Sequence, residues 1–107
     1  MIRLLVRLAA AVAVAAITLH AQAFAQDTTV TIKTFMFTPM AVSVTAGSTV
    51  TWKNLDEEPH TVTSETGLFR SGGLDTDQNY SFKFDKPGVY KYSCSIHPQM
   101  TGTITVK

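Results

Sequence analysis

From Asp27 to the end of the chain, apolar residues fall at every second position in a series of short runs. "STVTWKN" (48–54) places Val50, Trp52 and Asn54 on one face, with Thr51 and Lys53 on the other. "TVTIK" pairs Val30 with Ile32, "AVSVT" pairs Val42 with Val44, and "HTVTS" offers Val62. "NYSFKFD" aligns Tyr80, Phe82 and Phe84; "GVYKYSC" aligns Tyr90, Tyr92 and Cys94; "TGTITVK" aligns Ile104 and Val106. Alternation of period two belongs to half-buried β-strands. Its recurrence, with turn residues between the runs, predicts an antiparallel sandwich or barrel. The turns fall at Ala46-Gly47, Ser71-Gly72-Gly73 and Pro87-Gly88. No helical period, repeat, low-complexity tract or linker interrupts the pattern, so the expected fold is all-β, one small β-sandwich in a single domain.

The first 25 residues do not share the alternation. Arg3 and Arg7 precede the apolar run "LAAAVAVAAITL", and "AQAFAQ" follows it. A basic start, an apolar middle too short for a comfortable membrane span and a small-x-small site describe a secretory signal peptide. Cleavage is expected after Ala25, with Ala23 as the other position, leaving residues 26–107 as the working domain in the periplasm. A membrane anchor is the alternative for the same run. The mature part carries seven basic and eight acidic side chains, for a net charge of −1, and this balance argues against nucleic-acid binding. It also carries one cysteine, Cys94, and two histidines, His60 and His97. A lone thiol in an oxidising compartment forms no internal disulfide, which leaves an intermolecular bridge, a reactive nucleophile or a metal thiolate.

Spacing favours the metal. In "SCSIHPQM" Cys94 stands three residues before His97 and six before Met100, on a short loop between two strands, and His60 begins the "HTVTS" run. Two imidazoles, a thiolate and a thioether do not suit calcium or magnesium, which take oxygen ligands. Zinc would accept the cysteine and histidines, but gains little from methionine. A His₂Cys set with a weak axial Met suits copper that shuttles single electrons. The competing chemistry is a Cys94–His97 nucleophilic pair, for which the sequence offers no oxyanion hole or orienting group. Met36 and Met40 read as packing. Asp56-Glu57-Glu58 reads either as a solvated loop or as a charge cluster that steers a basic partner.

"WKNLDEEPHTVTS" followed by "GVYKYSCSIHPQMTGTITVK" resembles the cupredoxins, the small blue copper proteins, and among them most closely the amicyanins, which share the two-residue Cys–His and His–Met spacings. The resemblance implies a Greek-key β-sandwich with one type 1 copper near one end. It implies His60, Cys94, His97 and Met100 as ligands, and the exposed edge of His97 as the electron port. It further implies that Asn54 ties the first-histidine loop to the cysteine loop by hydrogen bonds. Ile96, Gln99 and Glu58 depart from the amicyanin pattern and predict a more polar, acidic rim around the port. The function implied is a monomeric periplasmic one-electron carrier and not an enzyme, with a c-type cytochrome or a periplasmic dehydrogenase as partner. Copper storage or delivery is the alternative, although the sequence has no Met-rich or His-rich run.

Overall fold

The computed structural model describes residues 11–16 and 24–107. The expected signal peptide therefore lies mostly outside the described residues. From residue 28 the chain forms eight strands: β1 (Thr28–Lys33), β2 (Met36–Thr38), β3 (Ala41–Val44), β4 (Ser48–Asn54), β5 (Thr63–Ser64), β6 (Asn79–Phe84), β7 (Gly88–Ser93) and β8 (Thr101–Val106). They make two four-stranded sheets, ordered β2-β1-β4-β6 and β3-β8-β7-β5.

The alternation is realised most cleanly in β4, where every odd position of the seven-residue strand is buried. Trp52, wholly buried, packs its indole near the rings of Phe69, Tyr80, Phe84 and Tyr92, with centroids 5.4 to 6.4 Å apart. Val30, Ile32, Val50, Ile104 and Val106 close the core from both sheets. Burial of such apolar surface, at roughly 25 cal/mol per Å², is the main term holding the sheets face to face.

Two details differ from the sequence reading. The sheets are mixed: β1 runs parallel to β4, and β3 runs parallel to β8. Both pairs join strands that are not consecutive, and the long intervening connections give parallel strands the crossover they need. The expected strand from His60 is reduced to Thr63–Ser64. Upstream of it, the backbone pairs with the 70–74 segment instead: His60 and Leu74 exchange bonds of 3.1 and 2.7 Å, and Ser71 N–H donates to the Val62 carbonyl at 2.9 Å. Thr61 and Val62 are both buried as a result, which breaks the alternation.

Gly102 in β8 faces the ring of Tyr92, and a Cβ there would overlap the phenol carbons and hydroxyl. The Tyr92 hydroxyl is buried without a hydrogen-bond partner, and burial pushes the phenol up to about 12. Gly102→Ala is expected to force the ring aside and destabilise the domain by about 1–3 kcal/mol. The measurement is the urea unfolding midpoint, and an unchanged midpoint would refute the close approach.

Candidate metal centre

Three of the four expected ligands meet at one end of the sandwich. Cys94 follows β7 and is wholly buried. The loop from Cys94 to Met100 folds back on itself: Cys94 N–H donates to the Met100 carbonyl at 3.1 Å, and Met100 N–H donates to the His97 carbonyl at 2.9 Å. The Ser93–Thr101 pairing of β7 with β8 closes the loop at its base. His60, also wholly buried, is brought across from the other side by its bridge to Leu74.

Cys94 Sγ lies 3.9 Å from His60 Nδ1 and 3.8 Å from His97 Nδ1. All three donor atoms lie within 4.8 Å of one another. The sulfur–nitrogen distances are too long for strong hydrogen bonds. They suit a shared ion, since metal–sulfur bonds of about 2.3 Å and metal–nitrogen bonds of about 2.1 Å span donors up to about 4.4 Å apart. Met100 is buried beside Cys94 in the same loop. His97 is half-buried and reaches the surface.

The imidazole of His60 is oriented from behind. Its Nε2–H donates to Asp56 Oδ2 at 2.8 Å, which leaves Nδ1 as the lone-pair nitrogen facing Cys94. The same carboxylate accepts from Thr34 N–H at 2.7 Å and Phe35 N–H at 2.9 Å. Thr34 and Phe35 are the two central residues of the β1–β2 hairpin, with φ of 55° and 57°. Such a turn ordinarily calls for Asn-Gly, because side chains are disfavoured in the left-handed region. Asp56 compensates by taking both N–H groups. The parallel register of β1 on β4 and the Leu55 N–H bond to the Ile32 carbonyl, 2.8 Å, bring the hairpin tip to this carboxylate. Phe35 then lies edge-on against both imidazoles, its centroid 5.2 Å from that of His60 and 5.0 Å from that of His97.

The role expected of Asn54 divides between two residues. Asn54 is buried on the inward face of β4, but its side chain does not reach the cysteine loop. It donates to the carbonyls of Glu58 at 2.9 Å and Leu74 at 2.8 Å, and accepts from Asp56 N–H at 3.0 Å. It therefore fixes the first-histidine loop and Asp56 within it. Thr61 makes the tie to the cysteine loop: its N–H donates to Cys94 Sγ at 3.3 Å, and its Oγ1 accepts from Ser95 N–H at 2.7 Å. Asp56 is turned onto His60 and the hairpin tip, while Glu57 and Glu58 stay exposed in the loop. Met36 and Met40 are not packed but about half exposed. The rim near His97 sets the exposed apolar side chains of Phe35 and Ile96 beside the exposed Gln99.

Burial alone would raise the Cys94 thiol, but hydrogen bonds to the sulfur, that from the Thr61 N–H foremost, overcome it and hold the thiol at about 6. A thiol lowered on folding stabilises the fold fully above its unfolded value, near 9, and loses that contribution as pH falls toward 6. The unfolding midpoint of the metal-free protein is expected to rise between pH 6 and 9, and Cys94→Ala is expected to flatten the rise. A rise that survives in the variant would refute this origin.

The chain matches the Cupredoxin-like domain family over residues 6–106. It is a cupredoxin. This cupredoxin is 37% identical to the amicyanin-alpha of Methylorubrum extorquens over 103 residues, 92% of this chain and 87% of that protein. Its fold superposes on a reduced single-residue variant of amicyanin with a TM-score of 0.71 at 30% identity, covering 74% of this chain and 80% of the other. It also superposes on a copper-containing nitrite reductase from Thermus scotoductus, with a TM-score of 0.71 at 30% identity. There it covers 76% of this cupredoxin but spans only 22% of the reductase.

Proposed function

We propose that this cupredoxin is a one-electron carrier that holds a single type 1 copper ion with His60, Cys94, His97 and Met100 and exchanges electrons at the exposed edge of His97. The observation that carries the reading is the convergence of His60 Nδ1, Cys94 Sγ and His97 Nδ1 at one end of the sandwich. When bound, copper supplies the Cu(II)/Cu(I) couple, and a His₂Cys set with an axial Met is the donor set of blue-copper electron-transfer sites.

The chain's own residues keep that environment constant. Asp56 fixes the ring of His60 and its tautomer. The Thr61 N–H donates to Cys94 Sγ and draws charge from it. Phe35 packs edge-on against both imidazoles and limits their movement. The folded-back loop from Cys94 to Met100 resists rearrangement because its ends are joined by backbone hydrogen bonds. His97 alone of the four reaches the surface, which makes its ring the shortest route outward.

We place the carrier in the periplasm as a monomer, after removal of residues 1–25. The basic start, the apolar run and Ala23-Phe24-Ala25 support that placement. Its partner is a c-type cytochrome or a periplasmic dehydrogenase, and the reading includes no substrate turnover. Rapid mixing of the reduced, copper-loaded protein with an oxidised c-type cytochrome tests the carrier role. Blue absorption should appear as the cytochrome is reduced, at a rate that falls when Phe35 or Ile96 beside His97 is replaced by aspartate. Electron transfer that ignores both substitutions would remove His97 as the port.

A further inference from the structure

Three of the chain's four methionines, Met36, Met40 and Met100, line one surface pocket of about 210 Å³, together with Phe35 and Gln99. Met36 and Met40 are 50% and 51% exposed, so core packing does not account for them. Met100 forms the inner wall and is buried. The three come from separate elements whose backbones are pinned. Met36 pairs with Lys33 across the β1–β2 hairpin, the Met40 carbonyl accepts from Thr103 N–H at 2.8 Å, and Met100 is held by Cys94 and His97. No charged side chain lines the pocket. Hard divalent ions, which take carboxylate and carbonyl oxygens, therefore find little there, while neutral thioethers select soft monovalent copper.

We propose that this pocket is a landing site for Cu(I), in which the thioethers of Met36 and Met40 take the ion at the surface before it passes Met100 into the buried centre. The inference rests on the reading of His60, Cys94, His97 and Met100 as a copper centre, and adds a second, shallower site to it. The ion keeps its single charge and no electron moves. Bonds to Met36 and Met40 sulfur break as bonds to Met100 sulfur and the Cys94 thiolate form, and any proton on the thiol leaves to water.

Silver(I), of the same charge and softness but inert to oxidation, is the probe. Protein labelled with ¹³C-methyl methionine and loaded with Cu(I) is titrated with silver(I) and followed by NMR. The methyl signals of Met36 and Met40 should shift together and saturate at a single equivalent, with Met100 unmoved and copper retained. The Met36→Leu/Met40→Leu variant should lose the saturable shift. Metal-free, it should take Cu(I) from a bicinchoninate complex about ten-fold more slowly than the unaltered chain, yet reach the same blue product on oxidation. Absence of a saturable shift, an unchanged uptake rate, or movement of Met100 with release of copper would each overturn the proposal. Unchanged uptake with slower reduction of a cytochrome would assign the methionines to partner docking and would likewise overturn it. A chain that never turns blue would instead sink the copper centre itself, so the two failures are distinguishable.

Discussion

Cys94→Ser is expected to abolish the blue absorption of the copper-loaded protein and to weaken Cu(I) binding by roughly 100-fold or more, beyond the 10–100-fold typical of losing an outer partner. Serine keeps nearly the same volume, so the buried site next to Thr61 is refilled and the fold survives; its oxygen accepts the Thr61 N–H in place of sulfur. What disappears is the soft, ionised ligand. A hydroxyl stays protonated near neutrality and is a poor donor to monovalent copper. Absorbance and competition against a Cu(I) chelator measure the two effects, while circular dichroism checks the fold. A serine variant that remained intensely blue would show that Cys94 is not a ligand.

The second large effect is expected at Asp56. Asp56→Ala removes the acceptor of three donors at once: Thr34 N–H, Phe35 N–H and His60 Nε2–H. The hairpin tip then holds two side-chain-bearing residues at positive φ with nothing to offset the strain, at about 1–3 kcal/mol for each such residue. The turn is open to water, which recovers part of the lost hydrogen bonding, so a net loss of about 2–4 kcal/mol is expected. The hydrogen bonds that Asp56 accepts keep its carboxyl below the usual carboxylate range against the opposing pull of burial. This contribution is therefore present above pH 4 and is lost only as pH falls through that lowered value. Copper affinity should fall about 10–100-fold as the ring of His60 is released. Asp56→Asn should lie between, because one amide oxygen still accepts while the NH₂ group opposes a donor. Calorimetric unfolding and chelator competition report the two effects, and a variant matching the parent in both would show that the carboxylate orients nothing.

Much of the sandwich was legible because burial and alternation coincide. β4 is the clearest case, where Val50, Trp52 and Asn54 point inward as the sequence pattern requires. The cluster of Cys94, His97 and Met100 is legible because a short loop leaves its side chains little freedom, and His60 because it is the only other histidine in residues 26–107. Asp56 was obscured by its neighbours: in a run of three acidic residues, nothing local distinguishes the one turned inward from the two in solvent. Its partners Thr34 and Phe35 lie 22 and 21 residues away, and Thr-Phe carries none of the Asn-Gly chemistry that announces a hairpin of this type. Here a tertiary contact overrides local propensity. Thr61 was hidden for a similar reason, since it belongs to a segment whose backbone bonds to residues 70–74 in place of a regular strand partner. The exposure of Met36 and Met40 is not legible in the sequence, because the type of an apolar residue does not reveal which side of a hairpin faces the core.

The most direct test of the copper centre is the electron paramagnetic resonance and visible spectrum of the metal-free protein after one equivalent of Cu(II). His60, Cys94 and His97 closing on one ion predict an intense blue colour and a narrow copper hyperfine splitting. A colourless product, or the wide splitting of a tetragonal nitrogen–oxygen site, would contradict the assignment.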